Sequence, residues 1–320
     1  MAGCLAAAVL AAGAIAGREA AVATALAPIL LGSVILSRYD LWPTALAVVA
    51  LAALLRGKLT IAGILLGTAL AAKFWPAVLV PPMAVWVWRR RGRAEAAGFL
   101  AATVAAAAAW FLPFVALSPG GVWYTLHNEL ARPLQLESLG GAVLITLHHL
   151  TGRPLHMASS YGSQNLFGPG AHAAAVATSI AGALALLAVW IAYAWRDGDD
   201  DRLVRACAAA AVTLLAFGKV FSPQFLIWLI PLVPLVVGRN RRVAIVLFAV
   251  ALGLTQVWFP QHYWNLASDF ASPYWWALVL RDLAVVALLV VLVWPGSERK
   301  ALREDRARVE ALEPVGAQVE

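Results

Sequence analysis

Short polar strings interrupt an otherwise apolar chain, and they carry most of the side chains able to do chemistry. Arg38-Tyr39-Asp40, Lys73-Phe74-Trp75-Pro76, the stretch from Arg132 through Gln135 to Glu137-Ser138, Tyr161-Gly162-Ser163-Gln164-Asn165, Lys219-Val220-Phe221-Ser222-Pro223-Gln224 and the stretch from Trp258 to His262-Tyr263-Trp264 all flank apolar runs. Cations and carboxylates converging from such strings could hold a departing phosphate and a hydroxyl acceptor. Lys73 and Lys219 have no acidic neighbour in sequence. A lysine at a membrane surface is a compact point charge suited to a lipid phosphate. His262, in an aromatic loop, could carry a proton or donate to a phosphate. The plainer reading of these residues is anchoring, because Trp, Tyr, Lys and Arg collect at membrane interfaces. Arg38 and Asp40 could also pair with each other or cap a helix.

Three further strings invite a chemical reading. His148-His149 suggests metal, yet adjacent residues on a helix point about 100° apart, so one site cannot easily use both. Asp197-Gly198-Asp199-Asp200-Asp201 contains the Asp-x-Asp with which many nucleotide-sugar transferases hold a divalent cation. Here it lies in a short turn with no soluble nucleotide-binding domain beside it, and it reads as a solvated turn capping the next helix. No metal site is expected. Arg281-Asp282 stands inside an apolar run, where charges are costly and default to function. Neighbours at i,i+1 do not face one another on a helix, so each is expected to need a partner elsewhere.

The elements that must position these residues follow from composition. Of 320 residues, 62% are hydrophobic and 13% charged, against about 45–50% apolar and about 25% charged in soluble domains. This excludes a soluble enzyme, a disordered chain and a disulfide scaffold, and the two cysteines, Cys4 and Cys207, lie in separate apolar runs. Continuous rather than alternating apolar runs exclude a β-barrel. The expected fold is all-α, a polytopic transmembrane bundle of about 11 spans, at roughly 2–16, 20–37, 41–55, 59–72, 74–88, 96–117, 172–195, 203–217, 223–238, 243–259 and 274–294, where the usual span needs about 20 residues. The net charge of +7 belongs to basic loops, with no nucleic-acid partner implied. If the tail is cytoplasmic, alternation places 18 of the 24 Lys and Arg inside and five outside (Arg38, Lys73, Arg132, Arg153 and Lys219), with Arg281 in a span, as the positive-inside rule requires. Residues 1–295 then form the membrane domain, with an extracytoplasmic loop at 118–171, and 296–320 a cytoplasmic tail. Residues 139–150 are too short to span and fit an interfacial helix.

Taken in order, Ser37-Arg38-Tyr39-Asp40, Ala72-Lys73-Phe74-Trp75-Pro76, Arg132 through Glu137-Ser138, Tyr161-Gly162-Ser163 and Lys219 through Gln224 resemble glycosyltransferase family 87 over roughly residues 20–294. These are multi-pass membrane transferases of GT-C fold, common in actinobacteria, and the Ala- and Arg-rich composition suits that group. The resemblance implies transfer of a hexose, mannose above all, from a polyprenyl-phosphate donor to a lipid or glycan acceptor. Transfer would occur with inversion, at the extracytoplasmic face of a bacterial plasma membrane. The lipid-linked donor is itself the substrate, so no cofactor is implied; the partners are membrane lipids, donor and acceptor. On this resemblance Lys73, Lys219, Arg38 and His262 face the donor phosphate, while Arg132, Glu137, Tyr161 and Gln224 serve the acceptor or its loop. A carboxylate acts as general base on the acceptor hydroxyl, and cations stabilise the leaving phosphate. The base expected in an acidic, Pro-containing first outer loop is not found, and Asp40 is the substitute. A further span and that loop are therefore expected upstream of Met1, which the genomic DNA there would show.

The alternative from another class is a transporter of lipid or polyprenol-linked sugar, whose polar groups would line a path across the midplane. The basic-residue split predicts that a cysteine placed near Ser159 reacts with an impermeant thiol reagent in intact cells while one near Gly296 does not. The opposite labelling would overturn the orientation.

Overall fold

Two charged residues bound each of the shortest apolar runs, and they set the helix ends. The helix α3 (Leu41–Leu55) lies between Asp40 and Arg56, and α4 (Leu59–Ala72) between Lys58 and Lys73, both at the bounds the sequence predicts. Gly57 closes the turn between them: its φ of 75° is the left-handed conformation a helix C-terminus favours. The Lys58 N–H returns to the Ala53 carbonyl at 2.9 Å and the Gly57 N–H to Leu54 at 2.9 Å. The two helices therefore run antiparallel, with Asp40 and Lys73 at one end and Arg56 and Lys58 at the other.

The computed structural model describes residues 1–195, 198–238 and 240–294. Its remaining helices are α1 (Ala2–Leu31), α2 (Val34–Ser37), α5 (Val80–Arg91), α6 (Arg93–Leu117), α7 (Pro119–Ala131), α8 (Leu139–Thr151), α9 (Ala171–Ala194), α10 (Asp200–Phe217), α11 (Arg241–Trp258), α12 (Tyr263–Asp269) and α13 (Tyr274–Val293). Short 3-10 helices occupy Trp75–Leu79, Pro223–Leu229 and Val233–Leu235. A main core of aliphatic residues runs through α1, α3, α4, α10, α11 and α13, and a smaller one joins α8, α12 and the start of α13.

Five helices among the described residues, α1, α6, α9, α11 and α13, are long and apolar enough to cross a membrane. The expected count of about 11 spans is not reached on that measure, because α3 and α4 have 15 and 14 residues, about 21–23 Å at 1.5 Å per residue. The first of the five is itself bent. Ala16 and Gly17 leave helical geometry, and a Cβ built on Gly13 would stand 3.3 Å from Ala21 Cβ. Residues eight apart on a straight helix are about 12 Å apart along its axis, so the chain folds back at Gly17. That reversal is the break the sequence places between 2–16 and 20–37.

Two other expectations change. Residues 223–238 are not a regular span: Pro223 and Pro234 sit in the 3-10 turns, where a missing N–H and a fixed φ disfavour an α-helix interior, and the segment is buried inside the bundle. The fold is not purely helical: within 118–171, α7 follows α6 directly, and a hairpin comes after α8. Strands β1 (His156–Ser160) and β2 (Ser163–Phe167) pair antiparallel with Ser160 opposite Ser163. Tyr161 and Gly162, at φ 51° and 70°, make the two-residue turn that strand twist favours. A helix does form where one is expected at 139–150: it is α8, capped by Ser138 Oγ, which accepts from the Gly141 N–H at 3.2 Å. Residues Arg196, Asp197, Arg239 and the tail at 296–320 lie outside the described residues.

The basic loops meet at one end of the bundle. Arg90 pairs with Asp200 at 3.0 Å and Arg241 with Glu19 at 2.9 Å, while Arg205 donates to the Val237 carbonyl at 3.1 Å. Asp199 caps α10, its Oδ1 accepting from the Arg202 N–H at 2.7 Å.

Close packing of α4 on α6 holds Lys73 in place. Cβ atoms built on Gly63 and Gly67 would fall 2.7 Å from the Phe99 carbonyl and 2.2 Å from the Thr103 carbonyl. The small-xxx-small pattern lets the two backbones touch. Replacing Gly67 with Leu is expected to cost on the order of 1–3 kcal/mol or more through overpacking, read as a lower thermal midpoint in detergent. Gly98→Ala, with nothing within 4 Å of the new Cβ, should leave the midpoint unchanged or raise it.

Candidate functional site

Asp40 precedes the first turn of α3 and is buried at 1% exposure. Its Oδ1 accepts from Lys73 Nζ at 2.5 Å and from Trp228 Nε1 at 2.7 Å. Its Oδ2 is buried without a hydrogen-bond partner. Lys73, at the end of α4, thus has an acidic partner 33 residues away that its sequence neighbourhood conceals. Asp40 pairs with it rather than with Arg38. The Lys73 ammonium also lies 5.0 Å from the Phe225 ring centroid, 5.3 Å from Tyr39 and 5.5 Å from Trp228, near enough for cation–π attraction. Trp228 stacks on Trp75 at 5.3 Å. Burial and the nearby Asp40 charge raise the Tyr39 hydroxyl above its ordinary pKa.

A second polar group surrounds Glu137, which is 2% exposed. Tyr263 Oη lies 3.1 Å from Glu137 Oε1 and 2.8 Å from Gln164 Oε1. The Tyr263 hydroxyl has one proton to donate, so it serves one of these two acceptors at a time. Burial, which disfavours the charged form, pushes the Glu137 carboxyl up to about 7 against the opposing pull of Tyr263 and Arg281. Tyr263 is raised in turn, by burial first and by Glu137 second. Arg281 reaches from α13 to donate to the Glu137 main-chain carbonyl at 2.5 Å. Its guanidinium lies 3.8 Å from the Phe221 ring centroid and 5.7 Å from Trp258.

Arg281 Nε also stands 2.8 Å from Asp282 Oδ1, so the adjacent charges do meet, contrary to the expectation from helix geometry. The long guanidinium arm folds back to its neighbour, although the angle makes no hydrogen bond and leaves both Asp282 oxygens without one.

A third cluster carries positive charge. Lys219 Nζ donates to the Leu130 carbonyl at 2.7 Å, at the C-terminal end of α7. Arg132 is close enough to act on it electrostatically; burial first and Arg132 second lower the Lys219 pKa, and Glu129 opposes them. Arg132 Nη1 pairs with Glu129 Oε2 at 3.1 Å, but Glu129 is 62% exposed and its charge is screened by solvent. Arg132 Nε is buried without a partner. Helix α7 buries none of its residues and exposes Trp123, Tyr124, Leu126 and Leu130, a surface suited to lipid.

The segment from Lys219 to Leu229 ties these clusters together. The Lys219 carbonyl accepts the Gln135 N–H at 2.8 Å, and Ser222 Oγ accepts from Gln135 Nε2 at 2.9 Å. Phe221 lies under Arg281, and Phe225 and Trp228 surround Lys73. Phe221 and Phe225 are four residues apart, so their Cα atoms are at most about 14 Å apart.

The structure therefore joins Asp40 with Lys73, Arg132 with Lys219, and Glu137 with Tyr263 and Gln164, two residues of the polar strings to which the sequence reading gave no role. Other predicted residues stay apart. Arg38 is exposed. His262 is exposed and stacks on Tyr274 at 4.8 Å. Tyr161 tips the hairpin at 45% exposure. Gln224 is half-buried, with no hydrogen bond of its side chain among the described residues. His149 is committed to Trp275 and the Phe270 carbonyl, 4.6 Å and 2.9 Å away. No group of three or more metal-ligating side chains stands together among the described residues. The role of Trp228 has no sequence signal beyond its being aromatic. That of Arg281 was signalled by charge within an apolar run.

No curated protein matches the chain. The sequence profile of glycosyltransferase family 87 matches residues 1–223, more than half of the chain and including Asp40, Lys73, Arg132, Glu137 and Lys219. The chain belongs to glycosyltransferase family 87.

Proposed function

We propose that the chain transfers a hexose, with mannose the first choice, from a polyprenyl-phosphate donor to a lipid or glycan acceptor at the extracytoplasmic face of a membrane. The observation that carries this reading is the Arg132–Lys219 pair at the end of lipid-facing α7. Two cations crowded together, one with a buried unpaired N–H, favour a multiply charged anion. An anion carried on a polyprenyl chain would reach them along the exposed face of α7. Charge-assisted hydrogen bonds at this position strengthen as the phosphate gains charge on leaving.

Asp40 is the general base on this reading. Lys73 and Trp228 hold Oδ1, so Oδ2 is the oxygen free to take the proton of the acceptor hydroxyl. The acceptor oxygen then bonds to C1 of the hexose from the side opposite the phosphate. The C1–O bond breaks, and the electron pair leaves with polyprenyl phosphate. Lys73 keeps N–H groups beyond the one given to Asp40 and can turn them to the same phosphate. Because the donor is already lipid-linked, no nucleotide is required by this chemistry. The transporter alternative has no support: Arg281-Asp282, the charges inside a span, serve Glu137 and each other instead of lining a route across the midplane.

Membranes containing the protein and supplied with radiolabelled polyprenyl-phosphate mannose should yield a labelled lipid or glycan, and no labelled product from any polyprenyl-phosphate hexose would overturn the reading. Lys219→Gln should reduce transfer roughly ten- to more than a hundredfold with folding intact, the equivalent of about 1.5–3 kcal/mol for a charged hydrogen bond. Full activity in that variant would return Lys219 to a capping role at α7. Lys73→Gln should instead lower both activity and stability, since removing one partner of a buried ion pair costs about 3–5 kcal/mol. An unchanged melting midpoint in that variant would show that the pair contributes nothing to folding.

A further inference from the structure

Unpaired buried polar atoms concentrate around Arg281. Gln135 Oε1, Glu137 Oε2, Trp258 Nε1, Arg281 Nη1 and both carboxylate oxygens of Asp282 are buried without a hydrogen-bond partner. All five residues are at most 2% exposed. They are contiguous: Arg281 touches Glu137, Asp282 and the face of Trp258, and Gln135 lies two residues from Glu137. Buried polar groups are almost always paired, and an unpaired one costs free energy. So dense a set of unpaired groups marks a place where something polar binds.

The sign of the groups selects the ligand. Two carboxyl groups oppose an anion, and the Arg281 guanidinium opposes a cation. Donors at Arg281 Nη1 and Trp258 Nε1 alternate with acceptors on Gln135, Glu137 and Asp282. Hydroxyl groups both donate and accept, so a neutral polyol matches such a mixture of donors and acceptors. Gln164, Ser222 and Tyr263, half-buried beside the cluster, are its nearest polar neighbours toward the loops.

We propose that Gln135, Glu137, Trp258, Arg281 and Asp282 form the subsite that holds the hexose ring of the donor by its hydroxyl groups. This rests on the transferase reading above. It fits that reading spatially, because Arg132 and Lys219, assigned there to the donor phosphate, adjoin Gln135 through the chain and through the Lys219 carbonyl. Glu137 and Asp282 bind ring hydroxyls here; they take no proton in the reaction. Selectivity among hexoses follows from which hydroxyls meet acceptors and which meet donors.

Trp258→Phe separates this subsite from a structural network. It removes one N–H that has no protein partner and leaves most of the ring in place. The full chain in nanodiscs, without ligand, should still fold, with a midpoint lowered only as far as the smaller buried ring requires. The shift in midpoint produced by citronellyl-phosphate mannose should shrink, and KM for that donor should rise on the order of two- to tenfold. Glu137→Gln and Gln135→Ala should also alter the preference between the mannose and glucose forms of the donor. Unchanged ligand shift, KM and preference in all three variants would overturn the subsite while leaving the transferase reading intact. If the wild-type chain transfers no hexose, methyl α-mannoside and methyl α-glucoside test the subsite directly. A midpoint shift that Trp258→Phe diminishes supports it, and no shift with either sugar overturns it.

Discussion

A fully buried guanidinium inside a membrane helix has to be answered by the rest of the fold. Arg281 lies on α13 at 0% exposure, in surroundings where an isolated charge is very costly. Its answer comes from three directions: Asp282 beside it, the carbonyl of Glu137 above it and the Phe221 ring against it. Each partner belongs to a different part of the chain. Satisfying one charge therefore fixes the turn from Gln135 to Ser138 and the start of the Lys219–Leu229 segment against the last helix. The same turn caps α8 through Ser138, and the same segment carries Phe225 and Trp228 to Lys73.

This arrangement explains why the segment after α10 is not a regular helix. A straight helix there would present its side chains at fixed intervals around one axis. Two 3-10 turns with proline at their starts let Phe221, Ser222, Phe225 and Trp228 face several neighbours in succession. The loss of α-helical hydrogen bonding is tolerable because the segment is buried in protein and not exposed to lipid.

Charge is distributed differently at the two ends of the bundle. At the basic end, arginines pair with exposed acids or with carbonyls at helix termini, as Arg90 does with Asp200 and Arg205 with Val237. At the other end Asp40 and Glu137 are buried, and their partners come from distant parts of the sequence. Asp40 is matched by Lys73 and an indole N–H, while Glu137 is held near neutrality by burial and linked to Tyr263.

Much of this was written in the sequence. Charges at 40, 56, 58 and 73 placed α3 and α4 to the residue, because an apolar helix in a bundle ends where a charge must leave it. The break at Gly17, the short helix α8 and the capping role of Asp199 were legible for the same local reasons. The ordered motifs at Asp40, Lys73, Arg132, Glu137 and Lys219 were enough to suggest the family. What local pattern could not supply was partnership. Nothing near Lys73 in sequence announces Asp40 or the three rings around it, and nothing near Glu137 announces Tyr263 or Arg281. Length and composition alone single out five helices, because helices shielded by their neighbours need not be as long as the membrane is thick, and 223–238 is no regular helix although its buried proline-containing turns are as apolar as a spanning helix. Those matters are decided when distant segments pack, since only the packed chain determines which groups lose water together and must then satisfy one another.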